Sequence, residues 1–141
     1  MDTLHLVDVS ICLRPIFHAD PPEIKLGPNE QLSPYQLTET RTFNFRFYSR
    51  SSSILQVKFC NKNPNDTVPE LNLDKVVVVE SVSFFGITDP RFAWAGVYHP
   101  EQGGELASHT YLSWNGTWTL NFDVPVFTWM HRVQGLGWIY Q

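Results

Sequence analysis

The chain has 141 residues and a formal net charge of −4, and only 17% of its residues are charged. That length suits one domain that buries roughly two thirds of its unfolded surface, so neither a metal nor a disulfide is required for stability. A sparse, mildly acidic surface argues against a nucleic-acid partner, because phosphate binding rests on clustered Lys and Arg.

The N-terminus, Met1-Asp2-Thr3, lacks a basic region, and no run approaches the ~18 apolar residues of a membrane span. Neither export by a signal peptide nor a membrane partner is expected. Cys12 and Cys60 are the only cysteines. Their spacing fits no zinc or redox motif, and two free thiols are expected.

In chain order, apolar residues recur with a period of two. Val7, Val9, Ile11 and Leu13 alternate with Asp8, Ser10 and Cys12. The segment Ala19 to Thr40 holds Pro21, Pro22, Pro28 and Pro34 and is expected to be an ordered excursion across a sheet edge. Phe43, Phe45 and Phe47 form the next strand, and Leu55, Val57 and Phe59 the one after. Val76 to Phe85 begins as a uniform apolar run, as a central strand covered on both faces would. Thr88 to Tyr111 is a second long connection. Trp114-Asn115-Gly116-Thr117-Trp118 predicts a hairpin, since Asn-Gly suits a type I′ turn. Trp118, Leu120, Phe122 and Val124 alternate again, with Trp118 expected in the core. Short strands are expected near Phe127–Val133 and Trp138–Tyr140, with a turn at Gln134-Gly135-Leu136-Gly137. The pattern predicts one all-β domain over residues 1–141, an antiparallel β-sandwich of jelly-roll-like form with two long loops.

Between two of the strands, oxygen ligands cluster at Asn61, Asn63, Asn65, Asp66, Asn72 and Asp74. Calcium takes six to eight such oxygens in flexible loops. The same residue types also favour turns, by bonding their own backbone. The order Leu55-Gln56-Val57-Lys58-Phe59, Asn61, Asp66, Leu73-Asp74-Lys75-Val76-Val77-Val78 and Phe85-Gly86 resembles the calcium-dependent xylan-binding modules, which are β-sandwiches. Over about a quarter of the chain, that resemblance implies a calcium site at Asn61, Asp66 and Asp74, where the metal chelates sugar hydroxyls. The chain departs from the family pattern at Lys62. It stands where the family has an Asp, and its ammonium competes with a metal.

The aromatic residues Phe92, Trp94, Tyr98, Tyr111 and Trp114 are expected to form a binding surface. Aromatic residues dominate interface hot spots, and their rings can stack on sugar faces. Catalysis is not expected. There is no nucleophile elbow, phosphate loop or helical His pair, and Glu101 and Glu105 flank a Gly-Gly loop tip. The general look also resembles small phage virion proteins. The main expectation is therefore a non-catalytic assembly or attachment protein of a phage particle, such as a capsid decoration or tail component. Its partners would be other virion subunits or a surface glycan, with a homo-oligomer as one form. The alternative is a calcium-dependent carbohydrate-binding module. Localisation follows the role, in the virion or otherwise in the cytoplasm.

Overall fold

The two-residue period becomes two antiparallel sheets in the computed structural model, which describes residues 3–135. The elements run β1 (His5–Ile16), β2 (Glu23–Pro28), β3 (Ser33–Gln36), β4 (Arg41–Ser49), β5 (Ser53–Phe59) and β6 (Val76–Phe84). They continue with β7 (Ile87–Thr88), α1 (Pro90–Trp94), β8 (Val97–Pro100), β9 (Leu106–Ala107), β10 (Tyr111–Leu112), β11 (Gly116–Phe122) and α2 (Val126–Val133). One sheet has five strands in the order β10-β6-β1-β4, with β7 also on β6; the other has six, β3-β2-β5-β11-β8-β9.

Each alternating run places its apolar phase between the sheets. Val7, Val9, Ile11 and Leu13 of β1 face Leu55, Val57 and Phe59 of β5 and Trp118, Leu120 and Phe122 of β11 in one core cluster, all fully buried or nearly so. Phe43, Phe45 and Phe47 have the same inward phase but stay half-buried, because β4 is an edge strand. The edges of the two sheets meet where the Tyr35 and Phe43 rings pack edge-on at 5.0 Å. The valines at the start of β6 are buried in both phases. β1 flanks that strand on one side and β10 and β7 on the other, so no second subunit is needed to cover it.

Several expectations are corrected. The Pro-rich segment does not merely cross an edge; β2 and β3 make it a hairpin that extends the six-stranded sheet. Pro34 is accommodated because β3 is outermost, where a missing N–H costs no ladder bond. Thr88 to Tyr111 is not one loop but a chain of short elements from α1 to β10. The Asn115-Gly116 hairpin does not form. β10 belongs to one sheet and β11 to the other, so this dipeptide lies on a crossing between them. Gly116 pairs with Pro100 instead, and a Cβ there would lie 2.4 Å from the His99 carbonyl oxygen.

Phe127–Val133 is a helix rather than a strand. Val126, Trp129 and Met130 are buried and Val133 packs on the core, which is the i, i+3, i+4, i+7 stripe of a helix only two turns long. Trp129 packs within 5.2 Å of Phe84, closing one end of the sandwich. α1 joins this end through Phe92, 5.5 Å from Phe84. Asp89 caps α1, accepting the Arg91 N–H at 2.9 Å, and also accepts from the Gln134 amide at 3.0 Å beyond α2. The Arg91 side chain, the Arg91 N–H and then Gln134 hold the Asp89 carboxyl down at about 2, against a smaller upward push from burial. The Trp138–Tyr140 strand lies outside the described residues, as does the second half of the turn before it. Cys12 and Cys60 are free thiols in different sheets or their margins.

Candidate functional site

β5 leads through Asn61 and Lys62 into two 3-10 turns, Pro64–Asp66 and Pro69–Leu71. Proline begins each turn, where its missing N–H costs nothing. The first turn closes as the Asp66 carboxylate accepts the Asn63 N–H at 2.8 Å. The second ends on Asn72 in the left-handed region, φ 55°, a conformation that Asn tolerates. The Val68–Leu73 bridge then directs the chain toward β6.

This path brings together the segments bearing Asn61, Asp66 and Asp74, and it brings them together around two lysines. The Lys62 side chain is 1% exposed; its Nζ donates to Asp74 Oδ1, and to the Lys75 carbonyl at 2.7 Å. The Lys75 side chain is 2% exposed; its Nζ donates to the Asn61 carbonyl at 3.2 Å and lies 3.3 Å from Asp66 Oδ2. Asp74 Oδ1 further accepts from the Thr67 hydroxyl and the Lys75 N–H, each at 2.8 Å. The Asn61 side chain points elsewhere. Its Oδ1 accepts the Glu23 N–H at 2.8 Å and its Nδ2 donates to the Pro21 carbonyl at 3.0 Å.

Asn115 fastens this loop to the other end of the chain. Its Oδ1 accepts the Lys62 N–H at 2.7 Å and its Nδ2 donates to the Lys62 carbonyl at 2.9 Å. The amide that suggested a turn thus serves as a two-point clamp on a peptide 53 residues away. Burial would raise the carboxyls of Asp66 and Asp74. The Asn63 N–H and Lys75 overcome it at Asp66, and Lys62, Thr67 and the Lys75 N–H at Asp74, so both lie below the ordinary value.

As folded, these residues do not fit calcium. Each carboxylate is already matched to a buried ammonium, and a divalent ion would face two positive charges at close range. Two carboxylates also fall short of the six to eight oxygens the ion requires. The oxygens the loop does offer are already taken by ammonium groups from the chain itself.

The five aromatic residues do not form a single surface. Phe92 and Tyr98 are core residues, 0% and 1% exposed. α1 turns Phe92 toward β6. Tyr98 stacks on the His109 ring at 5.7 Å and donates its hydroxyl to the Trp114 carbonyl. Burial pushes the Tyr98 phenol up to about 12. Trp114 is half-buried, while Trp94 and Tyr111 are exposed. Trp118 is core, as its phase predicts, and its indole lies so close to Gly96 that an added Cβ would sit 2.3 Å from the ring. Glu101 and Glu105 are exposed, and Glu105 lies 3.6 Å from His99. No helix among the described residues is long and apolar enough to cross a membrane.

No protein-family model matches this chain, and no curated protein matches it in sequence. Its fold is similar to that of the carbohydrate-binding module vCBM60. The structure of vCBM60 in complex with galactobiose is 15% identical, with a TM-score of 0.53 over 81% of this chain and 98% of that one. The selenomethionine form of vCBM60, described with a circular permutation linking two families of calcium-dependent carbohydrate-binding modules, is also 15% identical. It gives a TM-score of 0.55 over 84% of this chain and 92% of that one. At such identity the likeness is one of fold, and it agrees with the sandwich implied by the Leu55–Gly86 pattern. These neighbours lend no support to a virion role or to self-assembly.

Proposed function

We propose that this domain is a non-catalytic carbohydrate-binding module whose Asn/Asp loop is held by lysines instead of calcium. The observation that carries the reading is the sandwich shared with a module solved on galactobiose, over most of both chains. The calcium-free part is supported by Lys62 and Lys75, whose ammonium groups take the oxygens of Asp74, Asp66 and the Asn61 carbonyl. Electrophoresis of the chain through gels cast with galactan, xylan or another neutral polysaccharide tests both parts. Retardation by at least one polymer, unchanged by a chelator, is expected. Free migration through every polymer would sink the sugar-binding reading, and retardation that requires calcium would sink the lysine part alone.

A further inference from the structure

Because Val7, Val9, Ile11 and Leu13 fill the core, Leu6, Asp8 and Ser10 must lie on the opposite, outer face of β1. The β1–β4 register sets Tyr48 against Leu6, Arg46 against Asp8 and Asn44 against Ser10. Asn44 Nδ2 donates to Asp8 Oδ1 and Ser10 Oγ, both at 2.8 Å, which fixes the carboxylate. Arg46 Nε lies 3.7 Å from the other Asp8 oxygen, and its side chain is 67% exposed. Beside this polar row, Tyr48 is 66% exposed.

Two hollows adjoin there. One, of about 270 Å³, is lined by Leu6, Arg46, Phe47 and Tyr48. The other, of about 250 Å³, is lined by His5, Leu6, Phe85, Pro125, Val126 and Phe127. Leu6 lines both, so the two hollows abut at that side chain and together form a divided trough. In the second hollow the Phe85 and Phe127 rings are stacked, 4.8 Å apart and 21° from parallel, and Phe127 is half exposed. Phe85 reaches that position from a two-residue turn between Phe84 and Ile87, with φ 52° at Phe85 and 80° at Gly86. A left-handed backbone is strained for a phenylalanine, whose Cβ crowds the following carbonyl. The Phe85 N–H donates to the Asp8 carbonyl at 2.9 Å, so Asp8 anchors both halves of the trough.

We infer that this trough is the saccharide site, with Tyr48 and Phe127 as stacking rings and Arg46 as the arm that binds hydroxyls. The ligand is a neutral oligosaccharide of at least two pyranose units. A pyranose has a flat C–H face and a rim of hydroxyls, and so needs an exposed ring beside a polar fork. One ring in each hollow suits two sugar units. Because Asp8 lies against Arg46, the polar fork holds balanced charge, which favours a neutral ligand over an anionic one. The inference rests on the carbohydrate-binding reading above and names its site.

Calorimetric titration of the full chain tests it, using galactobiose and longer oligosaccharides cut from whichever polymer retards the protein. Tyr48→Ala should weaken binding by about tenfold or more, the loss of an aromatic hot spot, while Tyr48→Phe keeps the ring and stays close to wild type. Phe127→Ala and Arg46→Gln should each weaken binding as well. Melting curves establish that each variant is folded. Wild-type affinity in both Tyr48→Ala and Phe127→Ala, with loss in Trp94→Ala, would overturn the trough and leave the module reading intact. A wild-type chain that binds none of the probes would overturn both.

Discussion

Between β5 and β6, two carboxylates and two ammonium groups saturate one another in a nearly closed loop; on the outer face of β1 and β4, a tyrosine ring stands two-thirds exposed beside an equally exposed guanidinium. The loop has the composition of a ligand site and the physics of a structural joint. The trough has an unremarkable composition and the physics of a ligand site. Donor atoms indicate binding only when the fold leaves them unmatched, and large rings only when the fold leaves them uncovered.

Mutation should separate the two regions most sharply in stability. Asp74→Ala strands the buried Lys62 ammonium and should cost about 3 kcal/mol, the low end for a broken buried pair because Asp74 is partly exposed. The paired change Lys62→Met with Asp74→Leu removes both charges and should recover much of that loss. Urea unfolding of the two variants checks this. A loss below about 1 kcal/mol for Asp74→Ala would return the loop to the class of ordinary surface turns.

Acid should act on the joint before it acts on the rings. The folded values of Asp66 and Asp74 lie below the ordinary 3.8, so the stability they contribute is complete above that value and is lost as pH falls through the folded ones. Asp89, held at about 2, extends the same loss downward and acts on α1 and its tie to Gln134. Melting temperature should therefore fall progressively from just above pH 3.8 toward pH 2. In Asp74→Ala this fall should be shallower, and a slope equal to that of wild type would show that the joint does not depend on charge.

The smallest expected effect on stability is that of Tyr48→Ala. A ring this exposed should change unfolding free energy by no more than about 0.5 kcal/mol. A loss above about 2 kcal/mol would mean that the ring packs on the sheet and that the trough is part of the core.

Much of the sandwich was legible because β1, β5 and β11 alternate cleanly between a buried and an open face. α2 was missed because two turns give the helical stripe only four positions, and the same residues can be parsed as a strand. β2 and β3 were hidden by prolines, which an edge strand tolerates. Lys62 could be read from sequence as a competitor for the metal, whereas the pairing of Lys75 with Asp66 depends on how the two 3-10 turns fold the loop back. The Asn115 clamp joins residues 53 apart, and the turn chemistry of Asn-Gly masked it. Phe92 and Tyr98 sit in a stretch with no long period, so nothing local marked them as core. The trough depends on the β1–β4 register that sets Leu6 against Tyr48, and register is a property of the assembled sheet.

The proposed arrangement has two ammonium groups of the chain holding the loop in place of a metal. Its most direct test is the melting curve of the wild-type chain in millimolar calcium and in chelator. A ligand that binds only the folded state raises the melting temperature by mass action. The two curves should coincide. A melting temperature several degrees higher in calcium would contradict that arrangement and would show that Lys62 and Lys75 leave the carboxylates for a metal.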